Sequence, residues 1–104
     1  MENNKGRMTM NTDITIRHFE ASERIKEYAM DEVNRLIKYH DRIVSCKMIL
    51  DRTKEGEMAE INIHIAGKDF NSTQLTNDIF KSIDGAVDKM VSQLKKYVDR
   101  KFKR

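Results

Sequence analysis

Apolar positions switch period along this chain, and the switches predict the element order β-α-β-β-β-α. Ile14 and Ile16 alternate with polar neighbours within residues 10–18, the period of a strand with one covered face. Ile25, Ala29, Val33, Leu36 and Ile37 then recur at three- and four-residue steps, forming one stripe of a helix from about Ser22 to Tyr39. Ser22 can cap that helix with its side-chain oxygen. The opposite face mixes Glu23, Lys26, Glu27, Asp31 and Arg35, and Asp31 stands one turn before Arg35, the favourable order for an acid–base pair.

Two strands follow, each with one apolar face. Ile43 to Arg52 places Cys46, Met48 and Leu50 on one side, and Met58 to Ile65 sets Ala59, Ile61, Ile63 and Ile65 against Glu60, Asn62 and His64. Lys54-Glu55-Gly56 between them reads as a hairpin turn, because glycine accepts positive φ. Ala66-Gly67-Lys68-Asp69 reads as a second turn, and the polar stretch Phe70 to Thr76 as a fourth strand.

A long amphipathic helix closes the chain. Asn77 or Asp78 caps it. At about 100° per residue, Ile79, Ile83, Ala86, Val87, Met90, Leu94, Tyr97 and Val98 gather on one side. Lys81, Lys89, Lys95, Lys96, Arg100 and Lys103 gather on the other. Gly85 in mid-helix costs on the order of 1 kcal/mol relative to alanine and calls for a close neighbour. Two striped helices over one face of a four-stranded sheet make a two-layer α+β sandwich.

Charge distinguishes the two helices. From Ile79 onward eight basic residues face three aspartates, a net of +5, whereas the whole chain carries +3. Everything before Ile79 therefore sums to −2. A helix so polarised on a small domain points to a polyanion such as nucleic acid, with counterion release driving the binding. A merely solvated face would be served as well by mixed signs, as on the first helix.

The remaining chemistry is sparse. Residues 1–7 are polar and aperiodic and are expected to form a disordered extension, leaving residues 8–104 as one domain. No apolar run reaches membrane-spanning length, and the lone Cys46 fits a reducing cytoplasm and the role of a buried hydrophobe. His18, His40 and His64 lack metal-site spacing, and no glycine-rich phosphate loop or nucleophile elbow occurs. Neither a catalytic site, a metal nor a cofactor is expected.

The run Asn77-Asp78-Ile79-Phe80-Lys81-Ser82-Ile83-Asp84-Gly85, followed by Asp88-Lys89-Met90, Gln93-Leu94 and Lys96, resembles the ribosome hibernation promoting factor family. These proteins are also known as ribosome-associated inhibitors, protein Y or sigma-factor modulation proteins. Arg17-His18-Phe19-Glu20 and Leu36 to Ile43 add to the resemblance, which extends from about Met8 to Lys103. It implies a fold like a double-stranded-RNA-binding domain with an added strand. It also implies binding to the small ribosomal subunit, in the channel of messenger and transfer RNAs, and inhibition of translation in stationary or stressed cells. By position it carries ribosomal-RNA contact to Lys89, Lys96 and Arg100; helical geometry adds Lys81, Lys95 and Lys103, and Arg17 and Lys54 are weaker carry-overs.

Family members often have a basic residue where this chain has Ser92 or Val98, so the footprint is expected to shift. The chain stops at Arg104, as in the short form of the family, and a separate ribosome-dimerising factor is the expected companion. A protein-binding regulator using the open sheet face and a free double-stranded-RNA-binding module are the alternatives.

Overall fold

The computed structural model describes residues 11–102, with side chains through Val98; the expected extension at 1–7 lies outside the described residues. The elements are β1 (Asn11–Arg17), α1 (Glu23–Ile37), β2 (Ile43–Thr53), β3 (Gly56–Ile65), β4 (Lys68–Thr76) and α2 (Ile79–Phe102). This is the order that the hydrophobic periods predict. The strands lie side by side as β1-β2-β3-β4, with β1 parallel to β2 and the other pairs antiparallel. A parallel pair needs a crossover, and α1 supplies it.

Both helices cover one face of the sheet. α1 lies over β1 and β2, α2 lies over β3 and β4, and the two helices touch. Ala29, Val33 and Leu36 of α1 meet Cys46, Met48 and Leu50 of β2 and Ala59, Ile61, Ile63 and Ile65 of β3 in one core. Ile83, Ala86, Val87, Met90 and Leu94 of α2 complete it. Ser22 caps α1 as expected, accepting a hydrogen bond from Ile25 N at 3.2 Å.

The expected Asp31–Arg35 pair is not the one formed. Arg35 Nη2 donates instead to Glu32 Oε1 at 2.7 Å. Arg35 Nε donates to the same oxygen at 3.2 Å, so Glu32, three residues before it, holds the guanidinium through two nitrogens. Glu32 and, more weakly, Asp88 raise the Arg35 pKa above its ordinary value.

The first hairpin turns at Lys54 and Glu55. The Thr53 hydroxyl accepts from Glu55 N at 3.1 Å and Gly56 N at 3.2 Å. Gly56 has φ 144, and a Cβ there would stand 2.6 Å from the Thr76 carbonyl oxygen, which is backbone and cannot swing aside. Gly56→Ala is therefore expected to destabilise the fold by at least about 1–3 kcal/mol, seen as a lower urea midpoint at unchanged slope. Gly67→Ala should cost less: its φ is 82, but nothing lies within 4 Å of the added carbon. A larger loss at Gly67 would contradict the close approach at Gly56.

The uncovered face is mostly polar and mixed in sign, with Ile49, Met58 and Leu75 as its apolar positions. Strand register aligns Asp13, Lys47, Asn62 and Asn71 in one row, Thr15, Ile49, Glu60 and Thr73 in the next, and Arg17, Asp51, Met58 and Leu75 in a third. Acids match or outnumber bases in these rows. The cationic surface of the molecule is on the helical side.

Candidate nucleic-acid interface

α2 begins where β4 ends. Asp78 Oδ1 accepts from Phe80 N at 2.9 Å, confirming one of the two expected caps. Ser82, one turn in, is fully buried and donates to Glu57 O at 2.7 Å while lying 2.7 Å from the Thr76 hydroxyl. One hydroxyl thus ties the helix start to β3 and to the end of β4. The missing side chain at Gly85 also has its reason. A Cβ there would meet the Gln74 side chain of β4 at 2.6 Å, so glycine lets helix and strand close.

From there α2 runs back along β4. The Ser72 hydroxyl donates to Ala86 O at 2.8 Å, Lys89 Nζ to Thr73 O at 2.8 Å, and the Gln93 amide to Asn71 O at 2.7 Å. Farther along, the Tyr97 and Phe70 rings pack edge to face, 5.4 Å between centroids. Lys89 and Gln93 thus satisfy carbonyls of an edge strand that would otherwise offer them to another chain.

These contacts sort the charges of α2 onto two flanks. On the α1 side stand Asp84, which accepts a hydrogen bond from the Tyr28 hydroxyl, and Asp88, which acts on Arg35. On the β4 side stand Lys89 and Lys96, and the latter shares a hollow with Lys68, the first residue of β4. Lys81 and Lys95 are exposed. Lys89 and Lys96 are therefore turned toward the β4 edge, where Lys68 at the start of the strand joins them, while Lys81 and Lys95 lie closer in helical angle to Asp88.

The expected contact residues fall into three groups. Lys89, Lys95 and Lys96 share the second half of α2, with exposed Ser92 among them. Lys81, Arg17 and Lys54 belong to the opposite end of the molecule, where β1 ends beside Asp51, the β2–β3 hairpin turns and α2 begins. The Arg100 side chain and all of Lys103 lie outside the described residues. Val98 is half-buried. Sequence reading missed Lys68. Its signal is weak, a lysine that the sequence places in a hairpin turn and the structure at the start of β4, and only the return of α2 along β4 brings it beside Lys96.

Lys89 departs from the simple picture of a wholly outward lysine. Its ammonium remains exposed, but one of its three protons is committed to Thr73. A phosphate must use the other two or displace that bond.

Burial pushes the Cys46 thiol up to about 12, so it stays protonated and unreactive. Among the described residues no group of histidine, cysteine and carboxylate side chains could hold a metal ion. The Tyr28 pKa is raised to about 12, first by its hydrogen bond to Asp84 and then by burial. The neutral phenol is the favoured form in the fold. Its contribution is complete below the unfolded value of 10.0 and is lost as pH rises through about 12. Ultraviolet titration should show one late-ionising tyrosine, absent in Tyr28→Phe. An unchanged titration curve in that variant would remove the Tyr28–Asp84 bond from the interhelical contact.

Known proteins resemble this chain in sequence and in fold. The family described as "Sigma 54 modulation protein / S30EA ribosomal protein" matches residues 12–101. The ribosome hibernation promoting factor of Escherichia coli K12 is 28% identical over 91 residues, covering 88% of this chain and 96% of that protein. That of Klebsiella oxytoca is 26% identical over the same shares. Among solved structures, the protein Y N-terminal domain of Thermus thermophilus superposes with a TM-score of 0.71 at 26% identity, covering 86% of this chain and 99% of that one. A ribosomal subunit interface protein from Coxiella burnetii gives the same TM-score at 22% identity, covering 82% and 96%, and shares the fold.

Proposed function

Because this chain belongs to the sigma 54 modulation protein / S30EA ribosomal protein family, we propose that it is a non-enzymatic ribosome hibernation factor. It binds the small ribosomal subunit in the channel of messenger and transfer RNAs and so inhibits translation in stationary or stressed cells, in the cytoplasm. The observation that carries this reading is the lysine flank of α2, aligned along the β4 edge and extended by Lys68. Cations spaced along a rigid edge meet phosphates spaced along a backbone, and released counterions drive the association. The open sheet face, with acids and bases interspersed, offers RNA no such attraction. Among the described residues no helix is long and apolar enough to cross a membrane.

Sedimentation of a stationary-phase lysate tests this. The protein should travel with small subunits at low salt and leave them as salt rises; absence from the ribosomal fractions at low salt would sink the proposal. Footprinting on the subunit RNA then tests the channel.

A second reading has one observation in its favour. Met58 and Leu75 are register neighbours on the open face, and Leu75 is 45% exposed, so a small apolar patch faces solvent there. A protein partner, such as a sigma factor, would use it. Nuclease treatment separates the two: an RNA-mediated association dissolves, and a protein-mediated one persists.

A further inference from the structure

We infer that the free edge of β1 pairs with the β1 edge of a second copy of this chain, antiparallel about a two-fold axis at Thr15. Two four-stranded sheets thereby join into one of eight strands, with both helical layers on the same side. This pairing is independent of the RNA reading.

The two edges of the sheet differ. At β4 the side chains of Lys89 and Gln93 occupy the carbonyls of Thr73 and Asn71. At β1 alternate N–H and C=O groups face away from β2, and no backbone group among the described residues takes them. The strand reads NTDITIR in unbroken register, without the proline, lysine or bulge that commonly guard an exposed edge. Ile14 and Ile16 pack against the core but stay only half-buried. With Met30 of α1, itself 37% exposed, they line a hollow of about 430 Å³ between the strand and the helix.

The side chains select the occupant. An antiparallel pair centred on Thr15 sets Asp13 opposite Arg17 of the second copy and Arg17 opposite its Asp13. It also sets Thr15 against Thr15 and Ile14 against Ile16, so the apolar side chains cover one another on the helical side. Opposite charges and paired threonines are favourable cross-strand neighbours. Asp13 and Arg17 are both exposed, and neither has an ion-pair partner among the described residues. Asp13 accepts the Thr15 hydroxyl through Oδ2 at 3.3 Å, which leaves Oδ1 open. Centring the pair on Ile14 or Ile16 breaks the match, because Asp13 or Arg17 then faces Thr15. One strand pair makes a small interface, so the association is weak and concentration-dependent. The lysine flank of α2 lies at the opposite edge and stays uncovered in both copies.

Sedimentation velocity of the whole protein, from about 10 µM to about 1 mM, tests this without RNA. The mass should rise from monomer toward dimer, and concentration-dependent amide shifts should gather at Thr12 to Arg17 and at Met30. Asp13→Arg or Arg17→Asp alone sets like charges opposite each other twice and should weaken association roughly 10-fold or more. An equimolar mixture of the two variants should associate again, because each supplies the charge that the other lacks. Should either variant fold poorly, Thr15→Lys, at an exposed position on the axis, should weaken the pair while both charges stay in place. A monomer throughout the concentration range overturns the inference. So does a dimer that the single substitutions leave intact, a dimer whose amide shifts fall on β4 and α2, or a folded pair of charge variants that stays monomeric when mixed. Ribosome binding is scored separately, by sedimentation with small subunits, so either result can fail alone.

Discussion

Replacing Lys89, Lys95 and Lys96 together by glutamine should weaken binding to small subunits and flatten its salt dependence. If each lysine meets one phosphate, the log–log slope should fall by very roughly 2 to 3. The slope is the better readout, because a folding defect lowers affinity without changing how many ions are released per complex. Glutamine at Lys89 removes the charge and keeps an N–H donor, one bond shorter, on the side of Thr73 O. Lys95 and Lys96 are exposed, so their replacement should leave the helix folded. A triple variant that binds weakly at an unchanged slope would mean that the lysines shape the surface but do not meet phosphates. A triple variant that binds as the parent does would remove α2 from the interface. Lys81→Gln, at the far end of the helix, should change the slope by at most about 1 and serves as the internal comparison.

Ile61→Ala should be among the costliest single changes to stability. Ile61 lies on the central strand β3, paired with Met48 on one side and Ser72 on the other, and it is fully buried beneath the helices. No second hydrophobic layer exists among the described residues to absorb the loss, since the other sheet face is mostly polar. Truncation at such a site costs about 2–5 kcal/mol, from lost transfer energy and the cavity left behind. For a domain of this size each kcal/mol lowers Tm by about 4–8 °C. A fall on the order of 10 °C or more is expected in a thermal melt, with weaker ribosome binding only where the protein begins to unfold. A shift of a degree or two would mean that α2 settles into the cavity. That would contradict the tight registration by Ser72, Ser82 and Gly85.

The architecture was legible because two periods are hard to confuse. Strand and helix cannot be mistaken for each other where Ala59, Ile61, Ile63 and Ile65 alternate without a break, or where α2 repeats its stripe over several turns. The caps at Ser22 and Asp78 were legible for the same local reason. The orientation of charge was not. A helical wheel treats every outward position alike, whereas α2 has unequal flanks, one against α1 and one against a strand edge. That inequality committed part of Lys89 to Thr73 and brought Lys68 to Lys96. Each of these depends on which residues far apart in the chain end up adjacent, and local spacing carries no record of that. Gly85 is an anomaly in the helical pattern, but its partner Gln74 lies on another element and leaves no local trace in the sequence.

β1 differs from the other three strands in one respect: none of its residues is fully buried. It pairs on one side only, with β2, and its partners are reached across the whole of α1. The β2-β3-β4 meander, by contrast, joins neighbours through tight turns. Closing the longer loop costs more chain entropy before any contact repays it. β1 is thus the segment to detach first under native conditions and to dock last during folding, after the meander and α2 have assembled. Amide exchange would show it as faster exchange at Thr12 to Ile16 than at Ala59 to Ile63, and equal protection would make the sheet a single cooperative unit.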